Sequence, residues 1–306
     1  MQEIVPKGSN SGEIFFRRGF LALEEENHIN LKKTMANRLH EIRDPIHGFI
    51  KLDSEERRLV DSRPFQRLRY IHQLAFTYLV YPGTTHRRFE HSLGVMDVAT
   101  RIYDVATDPE NIYHNSVRDL VPKKSEFKWE YWRRVLRMSA LTHDVGHLPF
   151  SHAAEKALLP AGVRHEDLSR EIILSEELKP IFADLKIDSQ DVAKLAVGPN
   201  HFDAKFSVWE SILYEMIGGN VFGADRIDYL LRDAYHAGVA YGHFDHSRLI
   251  ETMRILPWED IQSNPMSRTL ELPLEVFRRR SPYYGHVISC TRNCIFTLSG
   301  VSTTSI

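Results

Sequence analysis

Residues 141–152 read LTHDVGHLPFSH and place His143, Asp144, His147 and His152 in a stretch that otherwise has the composition of an interior. Read as helix, Trp132, Leu136, Ser139, His143 and His147 fall on one stripe at steps of three and four. That stripe runs from apolar to chelating. Adjacent helical side chains diverge by about 100°, yet an imidazole and a short carboxylate at neighbouring positions can still converge on one cation between them. A His-Asp dipeptide alone is common. Here the apolar approach, the helix breakers Gly146 and Pro149, and two more histidines just beyond strengthen the ligand reading.

Further ligands must come from elsewhere in the chain. Upstream, THRRFEHSLGVMDVATRIYD (85–104) has a helical period that puts His91, Val95, Val98 and Ile102 on one face. A satisfied structural histidine is the ordinary reading of such a residue. With the His143 stripe facing the same core, His91 becomes the natural third ligand. Downstream, GADRIDYLLRDAYHAGVAYG (223–242) carries Asp225, Tyr229, Asp233 and His236 on one stripe, with Ile227, Leu230, Leu231 and Ala234 opposite and Gly238 as a stop. One face packs and the other can line a cleft, although Asp225 as an N-cap and Asp233 as a surface acid are the plain alternatives.

The rest frames these three segments. A chain of 306 residues with 42% hydrophobic content can bury a sizeable core, as one domain or two. Its formal charge of −2 gives no global field for nucleic acid or an anionic membrane, so any anion site is local. Cys290 and Cys294 alone make no disulfide framework and fit a reducing compartment. The patch from Ile14 to Leu23 is interrupted by Arg17 and Arg18 and is no signal peptide. No run reaches the roughly 18 apolar residues of a membrane span. The expected location is cytoplasmic.

Residues 1–34 are expected to be an appendage, 35–256 the working domain, and 257–306 an incomplete or divergent C-terminal segment. Residues 42–52, IRDPIHGFIKL, predict a short hairpin. Helical patterns follow, with Pro82-Gly83 marking a turn, 104–130 reading as a polar loop or insertion, and 163–173 as an amphipathic helix starting at His165 and Glu166. Ser207 to Ile217 reads as a helix ended by Gly218-Gly219. The architecture expected is mainly α, a helical bundle with a small N-terminal β-hairpin.

Collected, His91, His143, Asp144 and Asp225 are two imidazoles and two carboxylates, a set that suits manganese, iron, nickel, zinc or magnesium with coordination positions left open. Such a cation lowers the pKa of a water or polarises a phosphoryl oxygen. Arg88, Arg226, His147, His152, His165 and Glu155 around it fit a polyanionic substrate.

The order RFEHSLGV, LTHDVGHLPFSH, ADRIDYLLRDAYHAG resembles the HD-domain phosphohydrolase superfamily over about Ile42 to Arg254, and within it the deoxynucleoside triphosphate triphosphohydrolases. The resemblance implies an HD-domain bundle with His91, His143, Asp144 and Asp225 as metal ligands. It implies His147, His152 and His165 as α-phosphate contacts or proton-transfer groups, Glu155 as their acidic partner, and His152 as the acid for the leaving 5′-oxygen. Arg88, Arg226 and Tyr229 match triphosphate contacts, Arg226 standing where the vertebrate member has lysine. Gln73 and Asp233 match positions that hold the sugar.

The reaction implied is hydrolysis of a deoxynucleoside triphosphate to deoxynucleoside and inorganic triphosphate. Helices that complete a homo-oligomer and its nucleotide-regulated sites in relatives are not recognisable after about residue 257. Two other readings stay open at this stage. One is an HD phosphohydrolase acting on nucleoside monophosphates, cyclic or hyperphosphorylated nucleotides. The other is a single-stranded nucleic-acid-binding or regulatory protein that uses the arginine clusters.

Overall fold

Asp44 decides how the chain enters the fold. Its Oδ1 accepts the backbone N–H groups of Ile46 and His47, both at 2.9 Å, which closes the DPIHG turn. The turn joins strands β1 (His40–Asp44) and β2 (Gly48–Leu52), antiparallel with Ile42 opposite Ile50, so the predicted hairpin is present. The computed structural model describes residues 39–257, apart from positions 220, 221, 241 and 243, together with the backbone of His286–Cys290. The appendage expected over 1–34 and most of 257–306 lie outside the described residues.

Helices follow: α1 (Ser54–Asp61), α2 (Arg63–Gln66), α3 (Arg88–Ala106), α4 (Asn115–Leu120), α5 (Phe127–Thr142), α6 (Ser151–Leu158), α7 (His165–Ile173), α8 (Lys179–Asp184), α9 (Ser189–Val197), α10 (Val208–Gly218), α11 (Ala224–Ala237) and α12 (His246–Glu251). Strand β3 (Met253–Pro257) pairs antiparallel with β4 (His286–Cys290), Ile255 opposite Ile288. The chain is thus mainly helical, with the small hairpin at the start of the described region. Among the described residues no helix is long and apolar enough to cross a membrane.

Helix α3 is the axis. It packs against α5, α11 and α10, and Val95, Val98 and Ile102 are fully buried on the stripe that also carries His91. Val135, Leu136 and Leu141 of α5, Leu213 of α10 and Ile227 of α11 complete that core. Polar ties hold the hairpin onto it. Buried Arg137 of α5 donates to Glu56 Oε2 at 2.7 Å, to Thr100 Oγ1 of α3 at 2.7 Å and to the Lys51 carbonyl of β2 at 2.9 Å.

Two expectations need correction. The stretch 104–130 is no bare loop: it holds a single 3-10 turn, Pro109–Asn111, then α4, and α5 begins at Phe127. Its helical period is faint because Val117 alone is buried on α4, beside Ile112 and Val121. The helix through LTHDVGHLPFSH also stops early. Thr142 is its last residue, His143 is the C-cap, and a tight turn follows. The chain cannot continue as helix because other groups take the backbone there. Arg67 donates to the carbonyls of Val145 and His147, and the Gly146 N–H donates to Ser169 Oγ at 2.9 Å.

Removing one partner of a buried ion pair leaves an uncompensated charge, which costs about 3–5 kcal/mol. Arg137→Ala should therefore lose about that much in denaturant unfolding, and a loss under about 1 kcal/mol would show that the tie contributes little.

Candidate metal centre

The turn after α5 is shaped by its contact with α7. A Cβ on Gly146 would lie 2.2 Å from the His165 carbonyl oxygen and 2.3 Å from the Ser169 nitrogen, so only glycine lets α7 press this close. Ser169 Oγ accepts from Gly146 and donates to the His143 carbonyl at 2.9 Å. This clamp points His143 and Asp144 toward α3 on one side and sets His147 against His165 on the other, with ring centroids 3.7 Å apart.

Donor atoms of His91, His143 and Asp144 all lie within 4.8 Å of one another. Asp225, in the first turn of α11, brings Oδ1 to 3.1 Å from His91 Nε2 and 3.8 Å from His143 Nε2. Asp144 stands 3.7 Å from His91 Nε2 and 3.5 Å from His143 Nε2. All four expected ligands therefore meet in one place.

Both Nε2 atoms are buried and make no hydrogen bond. The far side of each ring is fixed: His143 Nδ1 donates to the Ala140 carbonyl at 2.8 Å, and His91 Nδ1 to Asp228 at 2.7 Å. Two buried, unpartnered imidazole nitrogens facing two carboxylates fit a divalent cation.

Burial opposes a charge on His91, but the Asp225 and Asp228 carboxylates outweigh it and push its pKa up to about 10. His143 is raised in the same way by Asp144 and Asp225, again against burial. Burial also opposes ionisation of Asp144 and Asp225. Arg88, His143 and His147 hold Asp144 well below the usual carboxylate range, and His143 and His91 hold Asp225 low.

A second group adjoins the first. Glu155 Oε1 stands 3.0 Å from Nδ1 of both His152 and His165 and 3.5 Å from Nδ1 of His147. His147 Nε2 is 3.4 Å from Asp144 Oδ1, linking the groups. His147 is buried and desolvation drives its pKa down to about 3, whereas the His152 side chain is 69% exposed at the rim. Arg88, the first residue of α3, is buried, pairs with Asp144 and donates to Ser151 Oγ through Nη2 at 2.7 Å. Phe150 and Ser151 both adopt left-handed φ, +70° and +51°, to present that hydroxyl.

Arg226 and Tyr229 are half-buried on α11 near Asp225 in sequence. Asp233, further along α11, accepts from His86 Nε2 at 2.8 Å, and the Gln73 backbone N–H donates to the His86 carbonyl at 3.1 Å. Gln73 and Asp233 therefore flank His86, and the Gln73 Oε1 is buried without a hydrogen-bond partner.

Sequence reasoning missed several residues. Asp228 and Arg232 were passed over between the two stripes of α11, although an Asp and an Arg four apart beside an apolar face is a legible signal. His47, Arg67, His86 and Ser169 gave none, because each acts through a contact distant in sequence.

An HD-domain family model matches residues 88–216. The chain is 33% identical to the Bacillus subtilis protein YwfO over 83% of its own length and 54% of that protein's. It is 32% identical to the human deoxynucleoside triphosphate triphosphohydrolase SAMHD1 over 70% of this chain and 36% of the relative. A crystal structure of a hypothetical protein from Aquifex aeolicus superposes with a TM-score of 0.57 at 33% identity, covering 78% of this chain and 59% of that one. The chain thus spans about half or less of the curated relatives it matches.

The divergent pKa values give a direct test. In chelator-treated protein, nitrogen NMR should find His91 as imidazolium until about pH 10 and His147 neutral until the pH falls to about 3. A His147 titrating near 6.5 would contradict a dry pocket.

Proposed function

This chain belongs to the HD-domain family, and we propose that it is a divalent-metal-dependent phosphohydrolase that hydrolyses deoxynucleoside triphosphates to deoxynucleoside and inorganic triphosphate. The observation that carries the reading is the pair of buried, unbonded Nε2 atoms on His91 and His143 facing Asp144 and Asp225, with the Arg88 guanidinium alongside. The human relative is a deoxynucleoside triphosphate triphosphohydrolase, which favours this substrate class over other phosphoesters.

His91, His143, Asp144 and Asp225 hold the cation; mixed imidazole and carboxylate donors suit manganese, iron, nickel, zinc or magnesium. When bound, the cation supplies Lewis-acid polarisation of the phosphoryl group and activation of the attacking water. Arg88, Arg226 and Tyr229 receive the triphosphate, and the guanidinium of Arg88 arrives already oriented by Ser151. His147, kept neutral by its burial, and His165 line the α-phosphate. His152, at the exposed rim, donates a proton to the leaving 5′-oxygen, with Glu155 holding the Nδ1 side of its ring. Gln73 and Asp233 take the sugar, Asp233 being kept in place by His86. Positioning and preorganised charge carry most of the rate.

The test is incubation of reconstituted protein with each of the four deoxynucleoside triphosphates under manganese, iron, nickel or magnesium, with products separated by ion chromatography. Inorganic triphosphate and deoxynucleoside are expected; phosphate or pyrophosphate instead would move the assignment to another phosphoester chemistry. Asp144→Ala should lose bound cation and turnover together, and full turnover in a cation-free variant would defeat the mechanism. Arg226→Ala should raise KM about 10- to 100-fold, the size of a lost charged hydrogen bond or two, with kcat less affected.

A further inference from the structure

The two histidines that face the centre are oriented by unlike devices. His143 Nδ1 is held by a backbone carbonyl, that of Ala140. His91 Nδ1 is held by a side chain, Asp228, at 2.7 Å. Asp228 is fully buried, and four hydrogen bonds converge on its carboxylate. Oδ1 accepts from His47 Nε2 at 2.6 Å and from Arg232 Nη2 at 2.8 Å. Oδ2 accepts from His91 Nδ1 at 2.7 Å and from Arg232 Nε at 2.9 Å.

The site for this carboxylate is built into α3. Gly94 lies one turn after His91, and a Cβ there would fall 1.9 Å from Asp228 Oδ1 and 2.6 Å from Arg232 Nη2. Arg232 also donates to Asp44 Oδ2 at 2.8 Å, so the hairpin supplies both His47 and Asp44 to the same cluster.

We propose that Asp228 is a positioning residue for the centre: its ionised carboxylate holds the Nδ1 proton of His91 and so presents the Nε2 lone pair to the cation. An ionised carboxylate only accepts hydrogen bonds, so the proton at this contact stays on Nδ1 and Nε2 is the nitrogen left to bind. A charged acceptor also makes the ring a stronger donor to a cation than a carbonyl does, so His91 is the ligand whose strength a side chain sets. The inference rests on the metal reading above, not on the identity of the substrate.

Asp228→Asn keeps the shape and removes the charge. Arg232 donates to both oxygens, so the new amide NH2 opposes an arginine N–H in either orientation. The experiment uses the full chain loaded with zinc, a diamagnetic cation the donor set accepts, and reads long-range proton–nitrogen NMR of the imidazoles beside zinc affinity. In the unaltered chain His91 should show Nδ1–H with Nε2 bound to zinc. In Asp228→Asn the His91 Nδ1–H signal should shift or vanish, that of His143 should stay, and zinc affinity should fall about 10- to 100-fold.

An unchanged His91 signal or unchanged zinc affinity in a folded Asp228→Asn protein overturns the inference. Should that variant fail to fold, the unaltered chain decides: His91 bound to zinc through Nδ1 overturns it. Failure of nucleotide turnover with the NMR and affinity results intact would sink the substrate assignment alone, whereas failure to bind zinc at all would sink both.

Discussion

A carboxylate at zero exposure has to find a donor for every lone pair it keeps, and Asp228 finds them on three elements. Arg232 supplies two from its own helix, His47 one from the hairpin and His91 one from α3. Burying an ion costs several kcal/mol unless those bonds are all made. The relative placement of hairpin, α3 and α11 is therefore tightly specified: a shift of any one would strand a charge. Asp44 adds to this by using Oδ1 to close the turn that carries His47 and Oδ2 to receive Arg232. A five-residue turn thus docks on a helix some 180 residues later in the chain.

Around that hub the two histidine groups are driven in opposite directions. His91 sits between Asp225 and Asp228 and is held toward the charged form, while His147 is buried beside Arg88 and held neutral. Titratable neighbours pushed apart in this way mark a division of labour. The carboxylate-rich side, with Asp144 and Asp225, could hold a cation. On the proposed reading, the end with Arg88 and neutral His147 would accept phosphate oxygens without adding a buried charge at His147. Asp144 faces both, through His143 on one side and His147 and Arg88 on the other.

The fold was legible where burial imposes a period. The His91 stripe of α3, the amphipathic α11 with its stop at Gly238, and the DPIHG hairpin follow from spacing and turn chemistry. The helix end at Thr142 was not, because it depends on Arg67, Ser169 and the start of α7 competing for backbone groups across long stretches of chain. Likewise α4 left little trace, with one buried valine to hold it. At the centre, the residues facing inward could be proposed by type and spacing, although a structural histidine or an N-cap aspartate leaves the same trace in sequence. The residues behind them were harder to find: Asp228 leaves only its four-residue pairing with Arg232, and His47 and His86 look like ordinary surface groups until the partner element is in place.

Charge balance links the cation to the anion it would meet. Asp144 and Asp225 are compensated here by Arg88 and by the imidazoles of His91 and His143, both of which favour an extra proton. A cation bound at Nε2 of those rings would displace any proton carried there. A cation held directly by Asp144 would compete with Arg88 for that carboxylate. The guanidinium, still held by Ser151, would then be free to turn toward a phosphate oxygen. On the proposed reading, cation and polyanion would thus be coupled through one shared aspartate, Asp144, which faces both Arg88 and the histidine pair.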